Sequence, residues 1–326
     1  MSTDVYARLA VIMLTIGLGA LLLRVPAFRE GRDGRSEGVD PAHALAQLAT
    51  YVLVPVLLFR TMARMDLSHM PWPVVQAYFV PVLTCALLVY ALNRRERQRL
   101  GGAAPATRAT AAIYGNAVQL GIPLASAMFG EPGLAIHVAL VSLHGVFMLT
   151  ALTLLAEFDL SRSGLRAGLW QTLGAMLRST LIHPVVLPVL LGLAVNLSGV
   201  SLPGIADQLL IGLGVAAVPL CLLLIGMNLA HYGLRGVWRP ALPQVVIKLL
   251  VQPALVLLAG HQLFGLQGLP LQVAVMMAAL PVGSNSLIFA QRYRLLQAEA
   301  TAAIVISTLA FALTAPIWLA LASRWA

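Results

Sequence analysis

Apolar residues in this chain run in blocks instead of alternating with polar ones, and short stretches rich in arginine, glycine and proline separate the blocks. Blocks of this length predict helices that cross a membrane, because a hydrocarbon core about 30 Å thick takes about 20 helical residues. The pattern places such helices near 5–23, 41–59, 74–92, 109–129, 134–156, 179–198, 205–230, 240–262, 270–291 and 298–322. The expected fold is an all-α polytopic membrane protein with ten transmembrane helices. The first block follows a short polar start, yet Asp4 precedes Arg8 and no small-residue cleavage pattern follows, so it reads as a helix and not a signal peptide.

Two blocks break their own pattern. The stretch ATAAIYGNAVQLGIPLASAMF, residues 109–129, carries Asn116, Gln119, Gly121 and Pro123 in its middle. The stretch AVMMAALPVGSNSLIFAQRY, residues 274–293, carries Pro281, Gly283, Ser284, Asn285 and Ser286. In lipid such interruptions persist only where they face protein or a water-filled cavity. Pro123 lacks an N–H and pushes Ile122 out of the α region, so the helix is expected to restart at about Pro123. Pro281 acts likewise on Leu280, and Gly283, Ser284 and Asn285 offer a joint and caps. By helical rise, Pro123 lies about 21 Å and Pro281 about 17 Å from the ends of their helices, near the middle of the core. Each restarted half-helix then presents its N-terminus there, which favours an anion, a carboxylate above all. Asn116, Gln119, Ser284, Asn285 and Ser286 would add neutral hydrogen bonds; the competing reading is two kinked helices whose amides bind neighbouring backbone.

The prolines also hint at a repeat. Pro55 and Pro219, Pro81 and Pro253, and Pro123 and Pro281 form three ordered pairs at separations of 164, 172 and 158 residues. Five helices followed by five more start the second copy on the opposite side of the membrane, giving a 5+5 inverted repeat with broken helices 4 and 9. Such repeats place substrate near the midplane.

Composition strengthens the membrane reading: 60% of the 326 residues are hydrophobic and 10% charged, against about 45–50% and about 25% in soluble chains. The net charge of +9 does not point to nucleic acid, because sixteen of the 21 basic residues fall in alternate loops and four on the other side. That bias sets both termini outside. The loop 29–40 reads as a solvated linker, and 157–178 as a linker with an amphipathic helix on the cytoplasmic face. Cys85 and Cys221 sit in apolar runs with no metal or redox spacing, as packing residues.

Isolated charges and histidines add candidates. Lys248, the one lysine, lies about 12 Å into helix 8, where it would contact an anion, tether the helix to the breaks, or snorkel to the interface. His137 and His144 share a face of helix 5 and His183 opens helix 6; a proton or polar relay at His144 competes with a packing role. None of the twelve acids lies deep in a predicted span, which removes the usual residue of a carboxylate-based proton relay or cation antiporter. Nucleotide, metalloprotease and hydrolase motifs are missing in any credible context, so no enzyme is expected and no cofactor, with Na⁺ or H⁺ coupling left open.

The residues GALLLRV, LAQLATYVLVPVLLFRTMARMDL, YGNAVQLGIPLASAMFGEPGL, PLCLLLIGMNLA, VIKLLVQPALVLL, AALPVGSNSLIFAQRY and ISTLAFALTAPIWLAL resemble the auxin efflux carrier family of membrane transporters. The resemblance covers almost the whole chain, and GNAVQLGIPL followed by FGEPG is its most specific part. It implies a fold similar to bile-acid sodium symporters. Residues 1–60 and 179–230 (helices 1, 2, 6 and 7) would form a scaffold, and 61–156 and 231–326 (helices 3–5 and 8–10) an elevator-like transport domain. It further implies crossing breaks, a homodimer through the scaffold, and small organic acids such as malate, malonate or an auxin-like acid as substrates. Gln119 departs from the small or apolar residue common in that family, and PVGSNS from a plain Pro and Asn crossover. The site residues expected for a carboxylate are Asn116, Gln119, Gly121, Pro123, Lys248, Pro281, Ser284, Asn285 and Ser286, in a bacterial inner membrane. The alternatives are a sodium-coupled symporter or ion carrier of the same fold, and a receptor that binds without transporting.

Overall fold

The computed structural model describes residues 3–25, 41–66, 72–162, 174, 178, 181–182, 184–232 and 238–325. These fold into helices α1 (Thr3–Leu22), α2 (Pro41–Ala63), α3 (Pro73–Asn93), α4 (Ala104–Ile113), α5 (Ile122–Arg162) and α6 (Val186–Leu197). They continue as α7 (Gly204–Tyr232), α8 (Trp238–Gln262), α9 (Gly268–Ala279), α10 (Ser284–Arg292) and α11 (Gln297–Ala322). Among the described residues six helices are long and apolar enough to cross a membrane, and Ala7–Leu22, Val186–Leu197 and Gly268–Ala279 are shorter apolar helices. The stretch Ala117–Leu160 has 44 residues, about 66 Å at helical rise and too long for one crossing. It is split at Gly130, whose φ of 65° is open to glycine and costly for other residues.

Contacts divide the chain into two compact units. The first comprises Met1–Met70, Val118–Ser142 and Ile182–Gly233. In it α1 lies along α7, and the end of α2 packs on α6 and α7. Glycines set these approaches: a β-carbon on Gly226 would collide with the carbonyl of Ile16, one on Gly19 with that of Leu223, and one on Gly192 with that of Phe59. Small residues let membrane helices meet backbone to backbone. A polar knot closes the C-terminal end of α2. Arg60 Nε donates to Asp207 Oδ1 at 2.9 Å, Arg64 pairs with the other oxygen at 2.9 Å, and Asn196 Nδ2 donates to the carbonyls of Met62, Ala63 and Met65 at 3.2, 3.1 and 2.6 Å. These are carbonyls that a helix end leaves without partners.

The second unit comprises Pro71–Ala117, Leu143–Leu181 and Leu234–Ala326. Its core packs α3 on α4 and α8, and α9 on α8 and α11. At one end a buried ionic layer ties the helices together. Asp159, fully buried, accepts from Tyr90 at 2.8 Å and Arg97 at 2.9 Å. Glu299, in the first turn of α11, accepts from Arg108 at 2.8 and 3.2 Å and from Gln244 at 2.9 Å. Tyr293 donates to Glu157 at 3.1 Å; burial, then the nearby Glu157 charge, pushes its phenol up to about 12, so it stays a donor. These partners explain why α5 continues to Arg162 where the sequence suggested a linker from 157. The rest of that linker apart from residues 174 and 178, the loop 29–40 and His183 lie outside the described residues.

Three five-residue π turns share one cause. They occupy Ala49–Leu53, Ala117–Gly121 and Ile247–Val251, and each ends two residues before a proline: Pro55, Pro123 and Pro253. A proline ring clashes with the carbonyl four residues back, and widening the preceding turn relieves the clash without ending the helix. Pro81 and Pro219 sit inside α3 and α7 with no such turn. Cys85 and Cys221 are buried free thiols.

Candidate functional site

The second unit holds both helix breaks side by side. α4 ends at Ile113, and Tyr114 turns extended with φ −83° and ψ 105°. α9 ends at Ala279, and Leu280 turns extended with φ −57° and ψ 146°, the backbone that a following proline imposes. The two extended stretches then pair as a short antiparallel bridge between Gly115 and Val282. Asn116 N–H donates to Pro281 O at 2.8 Å and Gly283 N–H donates to Tyr114 O at 2.8 Å. Backbone groups left by two interrupted helices thereby satisfy each other away from water. Glycine is required at the contact, since a β-carbon on Gly283 would lie 2.7 Å from Gly115 O. Val282 N–H is taken by Ser307 Oγ of α11 at 2.9 Å.

The first break does not lie at Pro123. Ile122 is helical and Pro123 is the second residue of α5, after the π turn; the chain leaves the helix at Tyr114–Asn116 instead. Gly115, which the sequence reading passed over, is the residue of the first break that forms the bridge, against Gly283 and Val282.

α8 supplies caps to both helix ends. Lys248 Nζ donates to Ala278 O at 2.5 Å and is fully buried, so it tethers α8 to the end of α9 and does not snorkel. Gln252, one turn later and also buried, donates from Nε2 to Ile113 O at 3.3 Å. Trp318 Nε1 donates to Leu249 O at 2.7 Å, within the same π turn.

The expected polar residues divide by position. Ser284 is exposed, and Asn116 and Asn285 are half-buried. Ser286 is buried and its hydroxyl binds Gly283 O, a role inside the turn. Gly283 caps α10, which has no side-chain cap. Gln119, Gly121 and Pro123 belong to the first unit, Gln119 half-buried and the other two buried. Behind the bridge, Tyr114 forms a side-chain hydrogen bond with Asn285 and packs its ring 4.5 Å from that of His144. Tyr78 OH lies 3.3 Å from His144 Nδ1. His144 is thus part of a buried aromatic cluster against the first break, while His137 is buried in the first unit. Tyr114, Gln252 and Ser307 were missed in the sequence; Tyr114, adjoining the GN pair, was the one with a local signal.

Among the described residues, the many apolar helices and the buried, backbone-paired double break are features of a helical membrane protein. Residues 36–319 match the model of the membrane transport protein family, and the chain belongs to this family, that of the auxin efflux carriers. It is similar to an "uncharacterized transporter" of Methanothermobacter thermautotrophicus, with 26% identity over 86% of this chain and 89% of that protein. It is also similar to a Rhizobium meliloti protein described as a "putative malonate transporter", with 26% identity over 82% of this chain and 84% of that one. The protein is therefore an integral membrane transporter and not an enzyme.

Proposed function

We propose that the chain is a secondary carrier of a small carboxylate, with malonate-like and malate-like dicarboxylates first among its substrates. The observation that carries this reading is the bridge at Gly115 and Val282, which leaves the N-terminus of α10, without a side-chain cap, beside the exposed Ser284 and the half-buried Asn116 and Asn285. Helix N-termini and amide donors favour an anion, and the description of the Rhizobium relative supports a carboxylate. His144 supports the site through Tyr114. In this reading ten helices form the 5+5 inverted repeat. Helices 1, 2, 6 and 7 serve as a dimeric scaffold, the others move as an elevator in the bacterial inner membrane, and both termini lie outside.

Purified protein in liposomes, given radiolabelled mono- and dicarboxylates with and without Na⁺ and a pH gradient, tests the proposal. Accumulation or exchange of at least one carboxylate is expected. Asn285→Asp, which sets a negative charge beside the anion, is expected to slow transport about a hundred-fold, the scale of a like charge at short range. Binding without accumulation or exchange would make the protein a receptor, and absence of carboxylate transport under every ion condition would remove the reading.

A further inference from the structure

Tyr114 belongs to the first break but is bound to the second through both its backbone and its side chain. Its N–H donates to Thr110 O at 2.9 Å, inside α4, and its carbonyl accepts from Gly283 N–H at 2.8 Å. Its hydroxyl shares a hydrogen bond with the side chain of Asn285, the second residue of α10. The two attachments thus fall on either side of the point where α10 begins. The ring between them has little room to turn: it is 6% exposed, packs 4.5 Å from the ring of His144, and a β-carbon on Gly145 would lie 3.8 Å from the hydroxyl oxygen. His144 is itself held, with Nδ1 3.3 Å from Tyr78 OH. A tyrosine fixed at its backbone and its ring fixes in turn the group that its hydroxyl binds.

An asparagine amide offers two N–H donors and a carbonyl with two lone pairs. Tyr114 uses one of these, and the rest of the half-buried Asn285 amide lies in the first turn of a helix that has no side-chain cap. Without the hydroxyl the amide is free to turn end for end, which exchanges donor for acceptor; an anion takes bonds from the N–H groups and is repelled by the carbonyl. We infer that Tyr114 is a positioning residue for the carried anion: its hydroxyl holds the Asn285 amide in the orientation that presents N–H to a carboxylate. The inference rests on the carboxylate reading above and adds to it a residue that sets affinity. Tyr114 is buried and acts through Asn285, so losing its hydroxyl weakens binding and leaves the rate of the loaded carrier in place.

The test is the concentration dependence of radiolabelled malonate uptake into proteoliposomes by wild type, Tyr114→Phe, Asn285→Ala and the double variant, with the melting of each in detergent. Tyr114→Phe keeps the ring and its packing on His144, so its melting is expected to stay close to that of wild type. Its KM is expected to rise about five- to ten-fold, the scale of one net hydrogen bond, while Vmax stays within about two-fold. Asn285→Ala is expected to raise KM at least as far, and adding Tyr114→Phe to it is expected to change KM no further, because the hydroxyl acts only through the amide. A tyrosine that only holds the fold would lower melting or Vmax and leave KM alone, and that result overturns the inference. So do KM changes that multiply in the double variant. Where Tyr114→Phe does not fold, Asn285→Ala decides: a wild-type KM overturns the inference, since the positioned amide then takes no part in binding, and a raised KM upholds it. A wild-type KM in Tyr114→Phe leaves the carboxylate carrier standing, whereas a wild-type protein that takes up no carboxylate removes the carrier reading and this inference with it.

Discussion

The two breaks answer the same problem with different means. The first leaves α4 into three non-helical residues, Tyr114 to Asn116, and then re-enters helix through a π turn, with Pro123 already inside α5. The second leaves α9 into Leu280 to Gly283 and re-enters directly at Ser284, with its proline inside the gap. One proline therefore widens a turn and the other stands in the break. The lesson is that a proline in a membrane helix specifies a lost hydrogen bond, and that the surroundings decide whether the backbone widens or opens. Where opening occurs, partners are at hand: Ser307 for Val282 N–H, Lys248 for Ala278 O and Gln252 for Ile113 O.

The comparison is broken most sharply at its glycines. Gly283 faces the backbone of Gly115, which cannot move aside, so Gly283→Val is expected to cost about 3 kcal/mol and to abolish a cooperative melting transition in detergent. A variant melting like wild type would show that the bridge is not tightly closed. At Gly115 the neighbour is a flexible side chain, since an added β-carbon would lie 3.2 Å from Lys248 Cε. Gly115→Ala is therefore expected to be milder, about 1 kcal/mol, and the ranking of the two glycines in one melting series sharpens the asymmetry. Ser307→Ala removes the acceptor from a buried N–H and is expected to destabilise by about 1–2 kcal/mol, read in the same way. The smallest effect is expected at Gln252→Leu, about 0.5–1 kcal/mol, because its bond to Ile113 O is long at 3.3 Å. A loss larger than that of Ser307→Ala would mean that the first break depends on its cap more than the second does.

Much of this arrangement was legible in the sequence, for identifiable reasons. Apolar block length located the helices, and Pro281 followed by Gly283 and Ser284 located the second break to the residue, because proline fixes its predecessor and Ser284 opens the new helix. Pro123 misled because a π turn absorbs a proline inside a helix, and nothing local in AVQLGIP distinguishes that from a break. Lys248 was visible as an anomaly, but its partner was not, since Ala278 lies 30 residues away and offers only a carbonyl, which every residue has. Asp159 and Glu157 likewise read as linker acids until Arg97, Tyr90 and Tyr293 arrive from other helices to satisfy them.

The reciprocal bonds between Asn116 and Pro281 and between Gly283 and Tyr114 carry a consequence for deuterium labelling. Helix interruptions are commonly taken for pliant joints that exchange amide hydrogens quickly, because local opening there is cheap. Here the amides of Asn116 and Gly283 are locked into each other's strand, so they should exchange as slowly as those of the uninterrupted helices, and the interruption itself should behave as a rigid clasp.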